Sequence, residues 1–462
     1  MKNKQLGILK SYLMLCMAMT VLTVGMFSCA KDKTDVSDLV STVPSSAGCV
    51  IGLNLNSILQ KAGYEIENGV IKNSKQNENI KGVTPEESEL IDMLGKEGSG
   101  IDPTGAIIFY DANRLIMTFA LSDNAKFRSV VEEKLNEKFN NVSGVDMCGN
   151  VAVKGAQAWI GLNDKPLDAD LIQGYSSLSS SQSFVNNSFA EQIREMEEDV
   201  AGWGKLSVIT KNFLNFNDMT MFNLVTGSLF ENADQFTMKI NFEKGKCETE
   251  IAILNDKGKP AKYMLPADKI DVSTVKTIGS KVDVVAGMTI TPKFLEKFDK
   301  IGNTLGGVMF KNLTTMMKDV DGTVAIAFSN PEALNQNLSG VVTTKGVPSL
   351  PLKQLVSSVA PVREDNNLLR FSLGQMNGEM EIDKCSELLK GCTFGIVADF
   401  PVYPISELQK LPFMKNSLDK DFNLYCFRMK PEDGSINFQI IVETAEKKEN
   451  ILKTILTSNS GN

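Results

Sequence analysis

"FTMKINFEKGKCETEIAIL", residues 236–254, alternates apolar and polar side chains on both sides of a Lys-Gly turn. Period two sends successive side chains to opposite faces of a strand, so the stretch predicts a β-hairpin with one dry and one wet face. "NLYCFRMKPEDGSINFQIIVE", residues 423–443, repeats the pattern around Pro-Glu-Asp-Gly. Alternation of this kind belongs to antiparallel sheets, whereas the strands of a doubly wound parallel sheet are buried on both faces and read as unbroken apolar runs.

A second pair of stretches places helices beside these strands. "GCVIGLNLNSILQKAG", residues 48–63, reads as an apolar strand followed by a short helix, with Asn56 as N-cap, Ile58 and Leu59 on the apolar face and Gly63 just past the end. "VDVVAGMTITPKFLEKFDKIG", residues 282–302, has the same design. Here Thr291 caps, Pro292 takes the first helical position, Phe294, Leu295 and Phe298 face inward, and Gly302 stops the helix. Together the pairs predict an α+β chain of two related halves, each a mostly antiparallel sheet with helices packed on one face. The boundary falls in the turn- and charge-rich stretch 255–269, giving halves 44–262 and 263–462. Within the first half, residues 106–122 read as a hairpin through Asp111-Ala-Asn113. Residues 123–139 follow as a helix capped near Ser122 or Asp123, and 144–163 as two strands. Thr84 and Glu87 form a capping box.

The first 28 residues predict a signal peptide, with Lys2, Lys4 and Lys10 ahead of the apolar run 12–26, which is too short to span a bilayer. "MFSCA" then places Cys29 as in the lipobox of bacterial lipoproteins, where cleavage leaves a lipidated cysteine. An ordinary secretory signal with an incidental cysteine is the competing reading. Residues 29–43 are a polar tether, and Ala30-Lys31 after the cysteine resembles the outer-membrane rather than the inner-membrane pattern. Removing three of the 48 basic residues leaves 45 against 56 acidic ones, a net charge of −11 on 434 residues. An acidic chain without basic runs is a poor partner for nucleic acid or an anionic membrane surface, so anchoring falls to the lipid.

The chain has no histidine. That excludes Ser-His-Asp and Cys-His catalysis, His-bound metals and His proton shuttles. Cys49, Cys148, Cys247, Cys385, Cys392 and Cys426 show no C-x-x-C pairing, so no cysteine zinc site is expected. Cys385 and Cys392 are close enough in sequence to bridge; two buried free thiols are the alternative. The S-x-x-K pairs Ser273/Lys276 and Ser417/Lys420 match chance, and no K-T-G accompanies them. Phosphate loops are missing, and Asp164, Asp168 and Asp170 read as a solvated helix start before a calcium loop. No cofactor is expected. Trp203 stands between two glycines in "AGWGK", where it reads either as an exposed ligand contact or as a residue packed on its own domain.

With these residues in hand, the chain resembles a family of Bacteroidales lipoproteins classed only as a domain of unknown function. The likeness rests on the Cys29 lipobox, the short tether and "VPSSAGCVIGLNLNSILQKAG", residues 43–63, although Ser45-Ser46 stands where that family's Ala-Asp would follow the proline. The family has no assigned activity, so the resemblance implies an envelope location and no catalytic residues. The expectation is a non-enzymatic outer-membrane lipoprotein that binds a partner or ligand between its halves or on a sheet face. A hydrolase using a carboxylate pair, which needs no histidine, and a purely structural envelope component are the alternatives.

Overall fold

Two-residue turns close the hairpins that the alternation predicts. Ala112-Asn113 and Asp433-Gly434 take left-handed φ values of 46° and 61°, and of 45° and 82°. Turns of this hand match the twist of the strands they join. The computed structural model describes residues 34–35, 37–61, 65–67, 70–72, 99–208, 228–305, 308–329, 337–399, 422–445 and 447–451. Cys29, Gly63, the Thr84–Glu87 capping box and the Ser417/Lys420 pair lie outside them.

Eighteen strands form one sheet. In chain order they are β1 (Cys49–Leu53), β2 (Ile101–Asp111), β3 (Arg114–Leu121), β4 (Asn140–Val142), β5 (Val145–Cys148), β6 (Val151–Lys154), β7 (Gln157–Gly161), β8 (Val200–Lys205), β9 (Ala233–Glu243) and β10 (Lys246–Asn255). There follow β11 (Val284–Ile290), β12 (Val320–Phe328), β13 (Leu338–Thr344), β14 (Val362–Asp365), β15 (Leu368–Leu373), β16 (Phe394–Ala398), β17 (Phe422–Glu432) and β18 (Ser435–Thr444). Every pairing is antiparallel, and β10 joins β18 over Lys246↔Glu443 to Ala252↔Asn437. Outward from that join the neighbours run β9, β8, β1, β2, β3, β7, β6, β5, β4 on one side. On the other they run β17, β16, β11, β12, β13, β15, β14. Among the described residues β4 pairs only with β5 and β14 only with β15, so the sheet is open, with two edges.

The expectation of two separate sheets is therefore corrected to one continuous sheet, and that of helices on one face to helices on both. The helices used below are α1 (Ser37–Ser41), α2 (Leu55–Gln60), α3 (Asn124–Leu135), α4 (Ala169–Ser176), α5 (Ala190–Arg194), α6 (Val272–Val275), α7 (Pro292–Leu305), α8 (Val308–Met316), α9 (Leu350–Ser357) and α10 (Ile382–Leu389). On face A, Leu55 and Ile58 of α2 and Phe127 and Val131 of α3 pack on Leu53, Ile108 and Phe119. Farther along that face, Phe294 and Leu295 of α7 and Leu352 and Val356 of α9 pack on Ile290, Val342 and Phe371. On face B, Ile172 of α4 and Ile193 of α5 cover Val50, Phe109 and Trp159, while Val275 of α6 and Cys385 and Leu389 of α10 cover Val285, Ala327 and Val397. Burial on both faces explains why β2 carries the run Ala106 to Phe109 without a polar interruption.

Local details move as well. Asn54, not Asn56, caps α2, its Oδ1 accepting from the Ser57 amide at 3.0 Å, because the strand ends two residues earlier than its apolar pattern reads. α7 runs through Gly302 to Leu305, since a glycine inside a helix weakens it without ending it. Residues 144–163 hold three strands, β5, β6 and β7, rather than two. Asp123 caps α3 and Asp168 caps α4, accepting from the Lys126 and Leu171 amides.

One buried ion pair ties α2 to the sheet. Asp199, with its side chain 1 % exposed, accepts from Lys61 Nζ at 2.6 Å, Ser57 Oγ at 2.5 Å and the Phe242 amide at 2.7 Å. Removing one partner of such a pair strands the others. Asp199→Ala is expected to lower the unfolding free energy by about 3 kcal/mol, and Lys61→Met by a similar amount, because it leaves the buried Asp199 carboxylate without its cation. Urea titrations of both variants check this; small losses would contradict it.

Candidate functional site

Residues directly opposite in antiparallel strands point to the same face, so the register sorts the centre of the sheet into rows. One row reads Met238, Ile251, Phe438, Met429, Phe394, Met288 from β9 to β11, all apolar and all on face A. The row one residue away, on face B, reads Ala201, Lys239, Glu250, Gln439, Arg428, Gly395, Gly287. Its middle is polar where the same face is apolar toward both sides, beneath α4 and α5 and beneath α6 and α10.

Each polar group of this strip has been given a neighbour by the register. Arg428 Nε donates to Gln439 Oε1 at 2.8 Å and its Nη1 to the Leu388 carbonyl at 3.0 Å, which holds the C-terminal end of α10 over the sheet; Nη2 stands 3.9 Å from Glu248 Oε1. Asn437 Nδ2 donates to Glu250 at 3.1 Å, Lys239 pairs with Glu198 at 2.6 Å, Lys246 with Glu248 at 2.6 Å, and Lys384 of α10 with Glu443 at 3.2 Å. Gly395 lets α10 seat closely: a Cβ there would lie 2.4 Å from Leu389 Cδ2. Glu248, Glu250, Lys239, Arg428 and Asn437 are all half-buried. The strip thus presents both signs of charge and amide groups along one line across four strands.

A second cluster lies at one end of β11 and β16. Asp283 and Asp399 flank the Val284↔Ala398 pair on neighbouring strands, 3 % and 8 % exposed, and the Asp399 amide donates to the Asp283 carbonyl at 2.7 Å. Asp283 Oδ1 accepts from the Glu379 amide at 2.8 Å, while Asp399 Oδ1 is buried with no hydrogen-bond partner. Burial, with Asp283 and Glu379 adding like charge, pushes the Asp399 carboxyl up to about 6. No spacing in the sequence joins two aspartates so far apart. The available signal was an acid interrupting the apolar runs "VDVVAG" and "GIVADF". Among the described residues, no three His, Cys, Asp or Glu side chains converge as metal ligands.

The residues singled out from sequence are placed as follows. Trp203 is not a loop residue: it lies in β8, 3 % exposed, 5.2 Å from the Phe184 ring, with Nε1 donating to Gln235 Oε1 at 2.8 Å. Its flanking glycines serve packing on the other face, where a Cβ on Gly204 would lie 2.6 Å from Phe236. The ligand-contact reading of Trp203 is thereby replaced by a core one. Cys385 and Cys392 are free thiols, unbridged: Cys385 Sγ faces Met380 Sδ at 3.9 Å and Cys392 Sγ the Leu388 carbonyl at 3.8 Å. Ser273 Oγ donates to Asp271, the cap of α6, while Lys276 pairs with Asp383, so this S-x-x-K holds no nucleophile–base pair. No helix among the described residues is long and apolar enough to cross a membrane.

No family model matches the chain, and no curated protein matches it. Among solved structures, crystal forms I and III of TP0453 are similar at 8 % identity and a TM-score of 0.28, over 75 % of this chain and 95 % and 96 % of those chains. A likeness at that score carries no argument about fold or function.

Burial raises the thiols of Cys49, Cys247, Cys385 and Cys426 to about 12 and those of Cys148 and Cys392 as well. Thiolate is the reactive form, so a disulfide-exchange reagent is expected to label none of these six in the native chain and all six in urea without reductant. Four labelled in urea would mean that two of them are bridged.

Proposed function

We propose that this chain is a non-catalytic, lipid-anchored outer-membrane protein built from two copies of one β-rich unit, and that it holds an extended polypeptide segment on the polar strip where the copies join. Support for the duplication comes from connectivity. Counting outward from the β10–β18 join, β9, β8, β1, β2, β3, β7, β6 and β17, β16, β11, β12, β13, β15, β14 are the same series of links, with a short helix, α1 or α6, ahead of each central strand in the chain. The copies are 44–262 and 263–462, with Cys29 as the anchor.

The observation that carries the ligand reading is the Lys239–Glu250–Gln439–Arg428 row, polar in the middle of a face that is otherwise apolar and helix-covered. Alternating cation, anion and amide side chains complement the donors, acceptors and mixed charges of a peptide. A glycan would be served better by exposed aromatic faces, and two aromatics of these strands, Phe427 and Phe438, stack 6.1 Å apart on the opposite face. A carboxylate hydrolase draws on Asp283 and Asp399. Glycoside hydrolysis, however, needs the two acids to flank a sugar in an open cleft, and both are buried.

The mature chain is expected to retain members of a peptide library and none of a glycan array. Because Lys239 and Glu250 are opposite each other across the strands, the double swap Lys239→Glu with Glu250→Lys keeps the net charge of the strip and reverses what a ligand meets, at the loss of the Lys239–Glu198 pair. It is expected to weaken peptide binding by about tenfold or more. An empty library screen, glycan binding, or equal binding by the swapped chain would overturn the ligand reading. For the anchor, Cys29→Ala is expected to move the protein from the membrane to the soluble fraction; retention with membranes would overturn it.

A further inference from the structure

We propose that the Asp399 carboxyl, buried beside Asp283, is a proton-binding site whose occupancy clamps the segment 374–381 and the start of α10 onto the sheet. The geometry assigns each carboxyl a different part. Asp283 Oδ1 already holds the Glu379 amide at 2.8 Å, on a segment tied down by the Asn377 amide to Ser329 Oγ at 3.2 Å and by the short strand pair Lys281–Val282 with Met380–Glu381. Gly378 lies hard against that strand: a Cβ there would be 2.1 Å from the Val282 carbonyl carbon. Asp399 sits across from Asp283 with Oδ1 buried and without a partner. A buried anionic oxygen without a donor is costly, and so are two neighbouring buried negative charges; a single proton on Asp399 removes its charge and leaves the Asp283 carboxylate to hold the Glu379 amide.

The groups that face Asp399 act in a definite direction. Asp283 on β11 and Glu379 on the segment favour the protonated form, Lys384 on α10 favours the ionised form, and Cys385 beside it on α10 is neutral, its thiol raised by burial. The folded chain therefore keeps the proton to about pH 6, above the ordinary carboxylate value. Stability from this proton is complete in acid and is lost as pH rises through about 6. Above it the segment carries three like charges at its seat, and local opening becomes cheaper.

In the first unit the same backbone positions carry different chemistry. The Lys205 amide donates to the Gly48 carbonyl at 2.8 Å, as Asp399 does to Asp283, and Gly48 N–H bonds Tyr110 O as Asp283 N–H bonds Phe328 O. Glycine and lysine there show that the strand pairing does not require an acid pair.

Hydrogen exchange of the full mature chain tests the site. After correction for intrinsic exchange, protection of amides 375–381 is expected to fall about tenfold between about pH 5 and about pH 7.5 in the wild type. In Asp399→Asn, which is uncharged at every pH, it is expected to stay flat. Unchanged protection in the wild type, or a variant that keeps the fall, overturns the proposal. Should the variant not fold, infrared spectroscopy of the wild type decides: a carboxylic C=O band titrating near pH 6 supports the proton on Asp399, and loss of every such band by about pH 5 overturns it.

Discussion

The antiparallel join of β10 to β18 is the contact on which the rest of the structure depends. It pairs Cys247 with Val442 and Ile251 with Phe438 on one face, and Glu248 with Ile441 and Glu250 with Gln439 on the other. Without it, two strands of about ten residues would present bare edges, a template for aggregation. With it, one row of apolar side chains runs unbroken from β9 to β11 on face A, and face B acquires its only polar stretch among these central rows. Because side chains alternate strictly, slipping this join by one residue would set Glu250 against Phe438 or Ile440 and bury charge on face A. The register is fixed by the cost of that error.

Away from the join, the sheet is covered on both faces, and its glycines are where the covering comes closest. Gly395 sits under Leu389 of α10, while Gly204 makes room for Phe236 and leaves Trp203 on the other face to pack against Phe184. These residues look like loop or hinge signals in sequence. In the sheet they are places where a neighbouring side chain occupies the space of a Cβ, which only the partner element, distant in the chain, makes visible.

That contrast explains what could be read in advance. Hairpins were legible because their determinants are local: alternation in 236–254 and 423–443, and turn residues such as Asp433-Gly434 that accept positive φ. Capping of α3 and α4 by Asp123 and Asp168 was legible for the same reason. Helices on both faces were not, since the apolar stripe of α10 carries no mark of which face receives it. Neither was the merger of two sheets into one, because the hydrophobic pattern of β10 and β18 specifies which side chains are buried and says nothing of which edge meets which. The acid pair is the extreme case: Asp283 and Asp399 each look like an ordinary polar residue at a strand end, and become a site only when β11 and β16 lie side by side.

The two proposals meet in α10. Its first turn follows the segment clamped at Asp283, and its Lys384 reaches Glu443; its last turn is held by Arg428, whose Nε also holds Gln439 in the polar strip. A helix of eight residues that follows a segment held by Asp283, beside the Asp399 carboxyl that burial pushes up to about 6, and that is held at its other end by a strip residue has few ways to move one end alone. Loosening the clamp would release Arg428 Nη1 from the Leu388 carbonyl and leave its guanidinium free to meet a ligand or Glu248. Coupling of this kind requires only that the strip bind differently with α10 seated and unseated. Gly48 and Lys205, which make the corresponding backbone bond beside β1 and β8, carry no acid pair, so under the proposed duplication control by a proton would belong to the second unit alone.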